Sequence, residues 1–232
     1  MIVVIGNGKS RSVLNLEKLN EHITYGCNAL FRDYSPTYLV CGDTAMTWDI
    51  CNSGYSRKNQ CYFKMFDRLP ADEYEMLKMT FEYCRGENDP KIIENEPQTD
   101  EFVMFGESNV TVIYWVGINE KTEQLEWWED TEYTSGTAAL TLACKMNPVR
   151  DIYCIGFDYF LDRAVDNMYL GTAHYLCTLE VLIKDWESKK GTWMDRKNWI
   201  IQHEKIEREF PSNNIYHVGK DLTYAEFNEM LR

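Results

Sequence analysis

Short apolar runs alternate with longer segments of helical period along this chain. Strand-like runs fall at 2–5, 23–27, 38–41, 60–64, 110–116, 151–155 and 215–218. Helical patterns fall near 71–84, 136–146, 173–187, 196–210 and 224–231. Strands interleaved with helices predict βαβ units, and therefore an α/β fold built on a mostly parallel sheet flanked by helices. Pro211 closes one helix, and Asn213-Asn214 turns into the last strand. Two stretches interrupt the rhythm. Residues 86–100 are polar, carry Pro90 and Pro97, and read as an exposed loop. Residues 120–133 (EKTEQLEWWEDTEY) are acidic and aromatic together, which fits either a solvated hairpin or short helix, or a substrate-facing flap. No internal repeat or domain boundary is visible, so residues 1–232 read as one domain.

Parallel sheets bind ligands beyond the carboxyl ends of their strands. The first run, Ile2 to Ile5, breaks directly into Gly6-Asn7-Gly8-Lys9-Ser10. Two glycines there permit close approach of main chain to a ligand. The spacing matches neither G-x-G-x-x-G nor G-x-x-x-x-G-K-[ST], and fits a bare turn as well as a nucleotide loop. Cys27-Asn28 follows the second strand, and Gly42-Asp43-Thr44 follows the third. Thr134-Ser135-Gly136-Thr137 opens a helix with hydroxyls and free N–H groups. Gly156-Phe157-Asp158-Tyr159-Phe160 follows the strand at 151–155. Each could be only a cap or a turn. Together they point to one polar rim.

Composition narrows the classes. A hydrophobic fraction of 44% and a charged fraction of 26% are ordinary for a globular protein. No apolar run approaches the ~20 residues of a membrane helix, and a strand rather than a signal peptide follows Met1, so no membrane span and a cytoplasmic location are expected. The eight cysteines form no C-x-x-C pair and fit buried thiols in a reducing compartment. The four histidines are dispersed, so a structural metal site is not expected; no cofactor is expected either. A net charge of −13 disfavours tight nucleic-acid binding.

Taken in order, GNGKS at 6–10, CN at 27–28, TSG at 134–136 heading an alanine-rich helix, and IYCIGFDYF at 152–160 resemble the bacterial sialyltransferases of glycosyltransferase family 42. That family's pattern runs GNGPS, CN, TSG and IYLxGIDFY. The wider group includes 6-hydroxymethylpterin diphosphokinase-like proteins. The resemblance implies a Rossmann-like domain that binds a CMP-sugar without metal, acts on an acceptor it does not name, and can form homo-oligomers. It places Gly6, Asn7, Gly8 and Ser10 against the donor phosphate and sugar, and Asn28 on the nucleotide or donor. Thr134, Ser135 and Gly136 would contact the donor sugar or its carboxylate, and Gly156, Phe157, Asp158 and Phe160 would border the nucleoside.

Glycosyl transfer needs a base for the acceptor hydroxyl and a group to neutralise the leaving phosphate. His174 is the candidate base. It follows the polar loop at 161–172, as the family's catalytic histidine follows a flexible loop, and it also fits a helix-start cap or packing residue; 157–172 is the expected loop or small lid. His217, within the last strand, reads as a satisfied strand residue. Phe160 stands where the family carries a tyrosine for the leaving phosphate, which makes Tyr169 the substitute. Asp43 replaces an asparagine and could accept from a ribose or base hydroxyl. Lys9 replaces a proline and could supply a cation. Two alternatives remain open: a Mg²⁺-ATP-dependent diphosphokinase-like transferase using Asp43 and Asp158, and a nucleotide-binding protein without catalysis.

Overall fold

All four residues of the first strand, Ile2–Ile5, are buried, which requires cover on both faces of the sheet. The computed structural model describes residues 1–43, 46–47, 49–50, 53–65, 104–105, 110–114, 116–119, 124–127, 133–160, 166–175 and 196–231. The strands are β1 (Ile2–Ile5), β2 (Ile23–Cys27), β3 (Tyr38–Cys41), β4 (Cys61–Met65), β5 (Met104–Phe105), β6 (Val110–Tyr114), β7 (Val116–Asn119), β8 (Gln124–Trp127), β9 (Asp151–Ile155) and β10 (Asn214–His217). Among the described residues the α-helices include α1 (Ser135–Met146), α2 (Arg196–Glu209) and α3 (Tyr224–Met230).

The main sheet runs β10-β9-β1-β2-β3-β4-β6-β5. Every neighbouring pair is parallel except β5 with β6. This is the α/β, Rossmann-like architecture. Val3 and Ile5 pack with Leu19, Leu30, Leu39 and Phe227 of α3. Ile2 and Val4 join the opposite cluster with Leu140 of α1 and Ile206 of α2. Helix α1 is buried on most sides, from Ser135 and Thr137 to Cys144, because it contacts both the sheet and α2. From β1 the chain builds outward through β2, β3 and β4, then places β9 on the other side of β1. The strand order therefore reverses between β1 and β9, where such sheets open a ligand crevice.

Several expected boundaries move. The strand at 60–64 shifts to β4, and 110–116 divides into β6 and β7. Part of the acidic–aromatic stretch is β8, the antiparallel partner of β7, which agrees with its hairpin reading. The helix expected over 173–187 does not begin as predicted: Ala173, His174 and Tyr175 form a turn, with His174 at φ +66°. Residues 176–187, the helix near 71–84 and the loop at 86–100 lie outside the described residues. No helix among the described residues is long and apolar enough to cross a membrane.

Candidate functional site

At the reversal point the ends of β1 and β9 are joined through main chain. Gly6 N donates to Ile155 O at 2.8 Å, and Gly8 N donates to Gly156 O at 2.8 Å. The backbones are too close for side chains: a Cβ on Gly6 would lie 2.5 Å from Gly156 O, and one on Gly156 would lie 2.7 Å from Gly6 O. Gly156 also takes φ +70°, where a Cβ is costly. Asp158, buried at this junction, accepts from Ser10 N at 3.0 Å and from the Ser10 hydroxyl. Tyr224 supports both loops, its hydroxyl lying 2.6 Å from Ser10 Oγ and accepting from Gly156 N at 3.0 Å. Burial raises the Tyr224 pKa. The helix that presents Tyr224 begins with a Thr223–Glu226 capping box, whose T-x-x-E spacing is visible in the sequence.

Beside the junction lies a cleft of about 450 Å³. Twelve of the residues singled out from the sequence line it: Gly6, Asn7, Gly8, Asn28, Asp43, Thr134, Ser135, Gly136, Gly156, Phe157, Asp158 and His174. Helix α1 enters with its N-terminus on the cleft. Its first N–H groups have no intrahelical acceptor and carry the positive end of the helix dipole. Thr134 N is satisfied by Gln202 Oε1 at 3.1 Å, and Ser135 Oγ accepts from Gly42 N at 2.9 Å. Asn7 Nδ2 donates to Cys27 O at 3.1 Å, while the buried Oδ1 atoms of Asn7 and Asn28 have no hydrogen-bond partner. Both side chains lie against the hydroxyl of Tyr175, whose pKa burial raises. Asp43 Oδ1 accepts from Met46 N at 2.9 Å. Tyr133 and Tyr159 add aromatic surface from segments already marked in the sequence, and Tyr175 and Trp199 add aromatic surface that no sequence motif marks.

His174 reaches the cleft from the turn that follows Tyr169. Its Nε2 lies 3.4 Å from Asp49 Oδ2, and its side chain is 32% exposed. Asp49 in turn accepts from Arg32 Nη2 at 2.8 Å. Neither Asp49 nor Arg32 carries a local sequence signal of this role.

No family model, curated protein or solved structure matches the chain.

Three expected site residues lie off the cleft wall. Tyr169 is buried, its hydroxyl bonded to Asp33 and accepting from Arg11 Nη2 at 2.9 Å. Burial, foremost, and the Asp33 contact raise its pKa; with its hydroxyl engaged by Asp33 and Arg11 and its side chain off the cleft wall, Tyr169 braces the loop. Phe160 packs against His217, ring centroids 4.3 Å apart, with Lys220 Nζ 4.5 Å from its own centroid. Ser10 stands behind the rim, held by Asp158 and Tyr224. Lys9 is exposed and does not line the cleft. Tyr159 does line it, but its hydroxyl is buried with no hydrogen-bond partner.

The expectation for His217 also changes. It is 2% exposed, and neither ring nitrogen has a hydrogen bond. His203, 1% exposed, is in the same state, with its ring 4.6 Å from that of His217. Burial lowers both pKa values, that of His217 to about 4. The pair packs behind the cleft against Phe157 and Phe160. Among the described residues, no group of three or more His, Cys, Asp or Glu side chains is placed to hold a metal ion.

Proposed function

We propose that the chain is a glycosyltransferase that binds a nucleotide-activated sugar, with a CMP-sugar favoured, and transfers the sugar to an acceptor hydroxyl. The observation that carries this reading is convergence on one cleft: the Gly6–Gly8 loop, the N-terminus of α1 and His174. A helix N-terminus stabilises a phosphate through free N–H groups and its dipole. The lining includes no Lys or Arg among the described residues, which suits a ligand with one phosphate charge better than one with several.

His174 takes the acceptor proton as the acceptor oxygen bonds to the anomeric carbon. The bond from that carbon to the phosphate oxygen breaks, and the nucleoside monophosphate leaves with the electron pair. Developing negative charge on the leaving group falls at the start of α1. The alternative with Mg²⁺-ATP is less favoured because both oxygens of Asp158 are occupied by Ser10 and Asp43 Oδ1 caps Met46 N. Five buried free thiols among the described residues support a reducing, cytoplasmic setting.

The test is thermal unfolding with CMP, ADP or ATP, each with EDTA and with Mg²⁺, followed by assay of CMP release from a CMP-sugar. Ligand at 100 times its Kd stabilises by about 2.7 kcal/mol. The expected result is a CMP shift that survives EDTA, with CMP release lowered about 10²–10⁴-fold in His174→Ala. A shift only with ADP or ATP plus Mg²⁺ overturns the reading in favour of phosphoryl transfer. Binding of CMP with no turnover overturns it in favour of a nucleotide-binding protein that lacks catalysis.

A further inference from the structure

His174 occupies a backbone conformation, φ +66°, that a residue with a Cβ keeps only where its surroundings hold it there. The turn around it is closed by Gly171 N donating to Tyr175 O at 2.7 Å and Tyr175 N donating to Thr172 O at 2.9 Å. From outside the turn, Arg32 Nη1 donates to Thr172 Oγ1 at 2.9 Å, and its Nη2 reaches Ala173 O at 3.3 Å. That same Nη2 donates to Asp49 Oδ2 at 2.8 Å, the oxygen 3.4 Å from His174 Nε2. The Arg32 guanidinium lies 5.9 Å from the ring centroid of Tyr169, which Arg11 and Asp33 fix by its hydroxyl. One arginine thus grips the turn that carries the imidazole and the carboxylate that faces it.

We propose that Asp49 and Arg32 are positioning residues for His174. The Asp49 carboxylate, 3.4 Å from Nε2, draws the ring proton to that nitrogen, which leaves the lone pair of the neutral ring on Nδ1, and Arg32 holds carboxylate and turn in register. This rests on the reading of His174 as the base. When the acceptor hydroxyl gives its proton to Nδ1, the ring becomes an imidazolium beside the Asp49 carboxylate. An Arg32–Asp49 pair that served only surface stability would leave the ring tautomer unchanged.

The experiment uses the full chain labelled with ¹⁵N-histidine at pH about 8, above the ordinary imidazole range. Ring-nitrogen spectra are recorded beside CMP release from a CMP-sugar. In the wild type the His174 spectrum should show a protonated Nε2 and a bare Nδ1. Asp49→Ala should spread the proton over both nitrogens and lower kcat roughly tenfold to a hundredfold, with KM for the donor unchanged. Asp49→Asn keeps an acceptor oxygen, so it should retain the tautomer while losing part of kcat; it also serves if the alanine variant does not fold. Arg32→Lys should broaden the His174 signals. A wild-type ring protonated on Nδ1, or a spectrum and kcat unaffected by Asp49→Ala, overturns the positioning role while the His174→Ala result still stands for the base. Turnover that survives His174→Ala overturns the base reading and the positioning role with it, even where the spectrum confirms the contact.

Discussion

The chain holds two histidine neighbourhoods about the same cleft, and they differ in their partners. At the rim, His174 is a third exposed and faces a carboxylate that an arginine holds. Behind the cleft wall, His203 and His217 are buried ring against ring, without a hydrogen bond on any of their four nitrogens. Lys220 adds a nearby positive charge that further disfavours protonation. Asp221 opposes this at His217, where Glu207 Oε1 lies 3.9 Å from Nε2. Burial wins, and these two rings are neutral aromatic packing. Residue type alone does not make a base; access to solvent or substrate and an oriented carboxylate are also required.

The largest expected effect tests the buried pair. A histidine whose folded pKa lies below its unfolded value leaves the native state unprotonated while the unfolded state binds a proton. Stability is therefore full above the unfolded value of about 6.5 and falls as the pH drops through it. The His217 penalty saturates below about 4, where it reaches about 3 kcal/mol, and His203 acts in the same direction. Urea denaturation at pH 5 and pH 7.5 should show the loss, and His217→Phe should reduce the slope. A slope unchanged in both His217→Phe and His203→Phe would break the comparison.

The next effect concerns the strut of the His174 loop. Tyr169→Phe removes the hydroxyl shared by Arg11 and Asp33, and should cost about 1–3 kcal/mol by the same denaturation measurement. The added apolar character does not compensate, because Arg11 is 2% exposed and loses a buried acceptor.

The smallest effect sharpens the contrast most. His174→Gly relieves a left-handed backbone conformation and should change stability by no more than about 1 kcal/mol. The same substitution at His217 empties a packed aromatic site and should cost about 3 kcal/mol or more. Equal costs at the two positions would mean that His174 is as much a packing residue as His217.

The rim was legible where its signal was local. The Ile2–Ile5 run, the glycines at 6, 8 and 156, and the hydroxyl-rich start of α1 are features of adjacent residues, and the structure gathers them at one strand-order reversal. Tyr169 and Phe160 do not line the cleft, because a residue's place in a loop does not tell which way its ring turns. Arg11 and Asp33 draw the Tyr169 hydroxyl inward, and the two histidines take up the Phe160 ring. The helix expected from Ala173 fails at its start because the turn is bonded on itself and to Arg32.

By itself, then, the sequence determined the parallel α/β order and the glycine and hydroxyl groups at the strand ends, since backbone preference and hydrophobic period are written in neighbouring residues. Only the tertiary structure decided that Asp49 meets His174, that Tyr224 supports Ser10 and Gly156, and that His203 meets His217. Those contacts join residues far apart in the chain, and long-range packing, which no local pattern encodes, selects them.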